Sequence, residues 1–491
     1  MNASWFAIAA VAAPLIAAVA VALIGWRRGT AVGSVAAAAV VLGCGIALGP
    51  SVLHRHLFAV DHVLRADAVT AVMLLVIGTV STLATWASIG YLDTELARGH
   101  TTPARARQYG VLVNIFIAAM TLAVLANNLG VTWVAVEATT ISTAFLVGHH
   151  RTRASLEATW KYVIICSVGI ALAFLGTVVL YFASLHTGHG TIGALDIDSL
   201  TAHAAQLNPA VTRLAAGLLL LGYGTKVGLA PFHTWLADAH SQAPAPVSAL
   251  MSGVLLSVAL SVLLRIKSVI DVALGPAFLR VGLLTVGLLT LMVAAALLIA
   301  QRDYKRMLAY SSLEHMGFLA VAAAAGTELA IAAALLHVLA HGLGKSVLFI
   351  SAGHLQLAHG STSIADVTAV LRRCPILGVS LAGGIVAILG LPPFALFASE
   401  IGIARGAASA HLALPLGLAL TLMVIAFAAL TRHGIAMLFG QPAVDAPTLA
   451  VSRSGAVPLL VGLGALAVLG LTTGPLTALL RAAASLLGGH N

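Results

Sequence analysis

The sequence predicts an all-α protein that crosses a membrane about fourteen times. Three observations predict it. Of the 491 residues, 60% are hydrophobic and only 8% carry charge, whereas about a quarter are charged in a soluble domain. Mean hydropathy is +1.04. Apolar windows long enough to span hydrocarbon recur along the whole chain, separated by short loops that hold most of the Arg and Lys.

Taken in order, the windows are 4–25, 30–50, 67–90, 109–126, 129–148, 162–185, 210–232, 246–264, 278–300, 307–325, 329–353, 376–398, 411–431 and 455–478. The first, Trp5 to Trp26, is too long for a signal-peptide core and lacks a clear cleavage site, so it reads as a retained span. With the N-terminus outside, the inner loops carry Arg27 and Arg28, Arg98, Arg105 and Arg107, Arg151, Arg153 and Lys161, Arg302, Lys305 and Arg306, Arg372 and Arg373, and Arg432 and Arg453. The outer side holds about half as many: Arg55, Arg65, Arg213, Arg265, Lys267, Arg405 and Arg481. Both termini then lie outside. The segment His186 to Pro209 reads as an outer surface loop, and the inner loop Gln356 to Arg373 as the place for a short surface helix. No soluble domain is expected.

Other function classes are excluded early. The net charge of +9 sits in orienting loops and is no nucleic-acid signal. Cys44, Cys166 and Cys374 are far apart, so no iron–sulfur, zinc or disulfide framework is offered. Gly342-Leu343-Gly344-Lys345-Ser346 looks like the end of a phosphate-binding loop, but Leu339 stands where its first glycine belongs and the segment is apolar on both sides.

The most informative stretch is GYGTKVGLAPFHTWLADAHSQAPAP, Gly222 to Pro246. Lys226 ends an apolar run, and Pro231 removes a backbone donor and breaks the helix five residues later. An interrupted helix is tolerated at membrane depth only where it is buried in protein or lines a cavity. A lysine beside such a break is a functional candidate; the competing reading is a snorkelling lysine at a helix end. The pattern Gly228-Leu229-Ala230-Pro231-Phe232 recurs as Gly390-Leu391-Pro392-Pro393-Phe394, and an acid follows each Phe at the same spacing, Asp238 or Glu400. The copies lie five windows apart, which reverses the direction of crossing. Paired broken helices in oppositely oriented halves point to an inverted-repeat transporter.

Further ionisable residues interrupt apolar windows: Glu137, His315, His337, His341, Lys345 and Glu400. The spacing of His337, His341 and Lys345 puts all three on one helix face. Desolvation favours a neutral lysine while a nearby carboxylate favours the charged form, so a Glu–Lys pair that opens and closes can load and release a proton. Histidines relay protons because their ordinary pKa lies near 6.5. Static readings compete: an ion pair for Glu137, packing for His337, a helix cap for His315. His233, Asp238 and His240 either carry protons or hold the break by hydrogen bonds. Glu314 reads as a residue near the inner surface. The histidines are too dispersed for a metal site.

The segments GYGTKVGLAPFHTWLADAHSQAPAPVSALMSGVLL, DYKRMLAYSSLEHMGF, HVLAHGLGKSVLF and GLPPFALFASE resemble the antiporter-like, proton-translocating subunits of respiratory complex I, Mrp antiporters and membrane-bound hydrogenases. The wording is most similar to that of component F of hydrogenase-four and formate-hydrogenlyase complexes. The resemblance implies two inverted five-helix repeats, over 109–265 and 266–440, after three N-terminal helices (1–108) and before a C-terminal helix (441–491). It implies Glu137 as the acidic partner of Lys226, a central axis of His315, His341 and Lys345, and Glu400 as the terminal acid. Where many relatives carry lysine or histidine in the eighth span, Ser257 stands here, so a relay there needs water or Ser257 itself. The long lateral helix of the largest complex I relative is not expected, because the chain stops soon after its last span. No cofactor is expected in this chain; iron–sulfur clusters and a NiFe or other redox centre belong in hydrophilic partner subunits, beside further membrane subunits. The expected site is the cytoplasmic (inner) membrane. The alternatives are an Mrp-type sodium/proton antiporter subunit, a complex I proton-channel subunit, and a structural anchor with static buried charges.

Overall fold

Without water to satisfy N–H and C=O groups, an apolar chain in hydrocarbon must close its own hydrogen bonds, and helices do so within one segment. The computed structural model describes residues 4–185, 193–442 and 447–488. In order, the helices are α1 (Ser4–Ile24), α2 (Arg28–Leu48), α3 (Ala68–Ala97), α4 (Pro103–Leu125), α5 (Leu129–Val147), α6 (Arg153–Leu185), α7 (Ile197–His203), α8 (Pro209–Val227), α9 (Trp235–Gln242) and α10 (Ala245–Leu250). They continue with α11 (Leu256–Leu274), α12 (Ala277–Ile299), α13 (Tyr304–Ala325), α14 (Glu328–His359), α15 (Val370–Arg373), α16 (Pro375–Ile388), α17 (Ala395–Ser409), α18 (Ala413–Leu438), α19 (Arg453–Leu471) and α20 (Gly474–Leu486). A π turn, Met251–Leu255, joins α10 to α11, and a short hairpin pairs β1 (Leu57–Ala59) with β2 (Leu64–Ala66).

Among the described residues, eleven helices are long and apolar enough to cross a membrane. All fourteen sequence windows fall on helix, but 210–232, 307–325 and 376–398 fall on helices outside those eleven. Several helices outrun their windows. Polar first and last turns extend α6 back to Arg153 and α14 on to His359, because hydropathy marks the hydrocarbon-facing length and not the helix. The inner loop therefore starts later than read, and its short helix is α15. Of the expected outer loop, 186–192 lies outside the described residues; the remainder holds α7, which buries Ile197 and Leu200.

Burial orders the bundle. The spanning windows of α14 and of the α10–α11 segment are wholly buried, whereas that of α18 is 22% buried. The former make the centre and the latter lies at the exposed edge of the chain. At the centre α14 crosses the π turn with no side chain between them: a Cβ on Gly253 would lie 3.0 Å from the Gly342 carbonyl oxygen, and one on Gly342 would lie 2.9 Å from that of Gly253.

Both breaks follow one design. At the first, Gly228 has φ +88°, its N–H bonds the Thr225 carbonyl, and the Leu229 N–H reaches back to Gly224. At the second, Gly390 has φ +63°, its N–H bonds Ala387, and the Leu391 N–H reaches Val386. Glycine takes this left-handed conformation without a Cβ clash, which closes the helix before the proline. The peptide bonds Ala230–Pro231 and Pro392–Pro393 are both cis. The last long helix seats on the second break, where Gly470 packs against the backbone of Pro393 and Phe394.

Candidate proton-carrying axis

Lys226 lies in the last turn of α8, fully buried. Its Nζ donates to Thr140 Oγ1 at 3.0 Å and to Tyr162 OH at 3.1 Å, and it lies 5.2 Å from the Tyr162 ring centre. Tyr162 and Thr143 share a further bond at 2.9 Å. The amine thus meets hydroxyls from α5 and α6. Glu137 sits one turn before Thr140 on α5, its Oε2 buried with no partner among the described residues. The implied Glu137–Lys226 ion pair is not closed: among the described residues no carboxylate lies within 4 Å of Lys226.

The second cluster joins α13, α14 and α17. His315 Nδ1 and His337 Nε2 are 3.1 Å apart, and His337 Nδ1 lies 3.0 Å from Ser399 Oγ. Ser399 donates its own proton to the Leu396 carbonyl at 2.8 Å. Its oxygen therefore accepts from His337 Nδ1, and a neutral His337 accepts at Nε2 from His315 Nδ1–H. The rings of His315 and His341 are 5.0 Å apart, and neither nitrogen of His341 has a partner among the described residues. One turn on, Lys345 donates to the Leu308 carbonyl at 3.0 Å and to Ser311. His337, His341 and Lys345 do share one buried face of α14.

Glu400, next to Ser399, folds back over the second break: its Oε1 would lie 2.8 Å from a Cβ on Gly390. Glu314 is corrected. It is buried within α13, and its Oε2 has no partner among the described residues. The charged run Arg302, Asp303, Lys305, Arg306 suggests a surface, but α13 starts at Tyr304 and carries Glu314 three turns inward.

Asp238 takes the holding role. It pairs with Lys161 at 3.1 Å and with Arg306, tying α9 to α6 and α13 at the arginine-rich end. His233 is half-buried. Ser257 turns back toward the Gly253 carbonyl at 3.5 Å and, among the described residues, bonds no other helix. The bridge between α13 and the π turn is instead Ser252 to Ser312, 2.7 Å between hydroxyls. Sequence reading missed Thr140, Thr143, Tyr162, Ser252, Ser311, Ser312 and Ser399, since serine and threonine in an apolar helix usually bond their own backbone. It also missed Lys305, fully buried and not a loop lysine. Among the described residues no group of three His, Cys, Asp or Glu side chains is arranged to hold a metal ion.

Away from this axis, Asp67 caps α3 through the Thr70 N–H at 2.8 Å and takes a two-pronged contact from Arg265 at 2.6 and 2.7 Å. Burial alone would raise this carboxyl, but the Arg265 charge and hydrogen bond, then Arg65, hold it well below the usual range. Arg65, read as an outer-side loop residue, is buried between Asp67 and Asp198.

Comparisons with known proteins agree with this architecture. The family described as NADH:quinone oxidoreductase/Mrp antiporter, TM, matches residues 126–426. A hydrogenase-4 component F homolog of Methylacidiphilum infernorum is 39% identical over 357 residues, covering 72% of this chain and 74% of that protein. Hydrogenase-4 component B of Escherichia coli is 28% identical over 352 residues, covering 69% of this chain and 50% of its own length. A chain of the Mrp complex from Dietzia sp. superposes with TM-score 0.86 at 19% identity over 99% of this chain and 97% of its own. One of respiratory complex I from Thermus thermophilus with bound NADH gives 0.81 at 22% over 98% and 100%.

Proposed function

The chain belongs to the NADH:quinone oxidoreductase/Mrp antiporter family and is an antiporter-like membrane subunit, and from that premise we propose that it moves protons across the cytoplasmic membrane, driven by a hydrogenase-type redox complex. Residues 109–265 and 266–440 act as two inverted repeats. Electron transfer and its iron–sulfur and NiFe or similar centres belong to the partner subunits.

One observation carries the reading: the chain of bonds from His315 through His337 to Ser399. A ring with both nitrogens engaged can receive a proton on one and release one from the other. A proton arriving at His315 Nε2 displaces the one on Nδ1 to His337 Nε2, which releases its Nδ1 proton toward Ser399. Ser399 takes that proton as its own Oγ–H turns from the Leu396 carbonyl and passes, through water, to the carboxylate of the next residue, Glu400. In the first half, Lys226 holds a proton on an amine bonded to neutral hydroxyls, and approach of the Glu137 carboxylate changes how firmly it is held. Partner redox chemistry drives the axis by shifting charge at one end.

The test uses the assembled complex in vesicles. Lys226→Ala and Glu137→Gln are expected to abolish acidification per turnover. Wild-type pumping in both sinks the reading. Loss of assembly with unchanged pumping per assembled complex favours a static anchor. Sodium-dependent proton flux through the purified chain favours the Mrp-type alternative.

A further inference from the structure

The axis described above needs a mouth. At the arginine-rich end a cavity of about 620 Å³ opens between the ends of α3, α9 and α14 and the turn from α5 to α6, its wall carrying Glu95, His100, His150, Gln242 and Gln356. Glu95 holds His150 at 3.2 Å and His100 at 3.7 Å. At the floor, Gln356 Oε1 accepts from Lys305 Nζ at 3.3 Å, and Lys305 also donates to the Ala243 carbonyl at 2.7 Å. Lys305 is fully buried, and among the described residues no carboxylate lies within 4 Å of its amine.

Ala243 ends α9 three residues beyond His240. His240 is also fully buried, and neither of its ring nitrogens has a partner among the described residues. Its ring stacks on Phe349 with centres 5.3 Å apart, one turn beyond Lys345 on α14. Through the end of α9 on one side and the Phe349 stack on the other, His240 stands between the Lys305 amine and the Lys345 turn of α14.

A lysine kept for structure alone is normally matched by an acid or reaches water. Here two neutral carbonyl oxygens hold the ammonium, and its third N–H is free to leave. A buried histidine with two open nitrogens stands beyond it. We propose that this cavity is the proton intake of the chain, and that Lys305 and His240 pass protons from its floor to Lys345 and His341. The inference rests on the proton-translocating reading above. In the step, a Lys305 N–H bond breaks and an N–H bond forms on His240, directly or through one water. The neutral amine left behind takes a proton from hydronium in the cavity, which becomes water. His240 then returns to neutrality by giving its extra proton to an open nitrogen of His341, or to Lys345 once that amine has passed its own proton on along the axis.

The rival role is mechanical: Lys305 caps the carbonyl end of α9. Lys305→Arg separates the two, because guanidinium caps a carbonyl as well as ammonium does but does not give up its proton. In inverted membrane vesicles holding the assembled complex, acidification is followed with a pH dye against hydrogen turnover. The Arg variant is expected to assemble as wild type and to acidify about a hundredfold more slowly. Wild-type acidification by that variant overturns the inference alone; a wild-type complex that moves no protons sinks the parent reading and takes the inference with it. Should the Arg variant fail to assemble, Ala358→Cys, on the cavity wall, in a Cys374→Ser background decides. Cys44 and Cys166 are buried, so within this chain labelling is confined to the cavity, and the Cys374→Ser parent complex treated in the same way corrects for thiols of the partner subunits. A charged, impermeant thiol reagent applied from the arginine-rich face is expected to block acidification; full labelling without inhibition overturns the inference.

Discussion

Nδ1 of His315 lies 3.1 Å from Nε2 of His337, across the packing of α13 on α14. The serine beyond fixes which nitrogen of each ring carries the proton. His337→Gln keeps a polar group of similar bulk but cannot take a proton at one end and release it at the other. Proton transport per assembled complex is expected to fall about a hundredfold, with assembly retained. Vesicle acidification normalised to complex content measures it.

Lys226 depends on a phenol contributed by another helix. Tyr162→Phe removes that acceptor and keeps the ring, so the aromatic face still meets the amine. An unmatched buried donor costs about 1–3 kcal/mol. The detergent-purified protein is expected to melt several degrees lower and transport to slow. Tyr162→Phe with an unchanged melting curve and rate shows that Thr140 suffices.

Gly390 and Gly228 separate stability from function. A Cβ at either meets a left-handed backbone, which costs about 1–2 kcal/mol. At Gly228 the added carbon meets the flexible end of Leu236, Cδ1 at 2.6 Å. At Gly390 it meets the Glu400 carboxyl group, Cδ also at 2.6 Å. Both alanine variants are expected to lose similar stability, but Gly390→Ala to lose more transport, as it displaces Glu400. Paired melting and acidification measurements decide.

The Asp67–Arg265 pair ties α3 to α11. Removing one partner of a buried pair costs about 3–5 kcal/mol, so Asp67→Asn is expected to lower the melting temperature sharply. The pH dependence has a defined sign. Burial, then the neighbouring His150, pushes His149 down to about 4. The unfolded chain binds its proton first, so this stability is complete above about pH 6.5 and drains as pH falls toward about 4. Asp67 acts in the same direction at lower pH, losing its contribution below the ordinary carboxylate range. Melting curves from pH 7.5 to 4.5 are expected to fall steadily, and His149→Gln to flatten the upper part.

Local rules made the breaks legible, because Gly228 with Pro231 and Gly390 with Pro393 act within one turn. The shared face of His337, His341 and Lys345 follows from helical spacing alone. The Lys226 partners could not be read this way. Thr140 and Tyr162 come from α5 and α6, and only the packing of three helices brings their hydroxyls to one amine. Lys305 misled because a charged run normally marks a surface, whereas here the run winds into α13 and turns the lysine inward beneath α9. Arg265 misled likewise: it reads as an outer-side loop charge, yet its guanidinium grips the buried Asp67 from 198 residues away.

The glycine crossing of α14 over the π turn has a mechanical corollary. With peptide against peptide at Gly253 and Gly342, the joint has no compliant padding to absorb displacement. Sliding either rod lengthwise by one position would ram a side chain into bare backbone, whereas swivelling about the crossing keeps it shut. Any turnover motion that reaches the protonatable rank is thereby restricted to pivoting, with His341 adjoining the fulcrum.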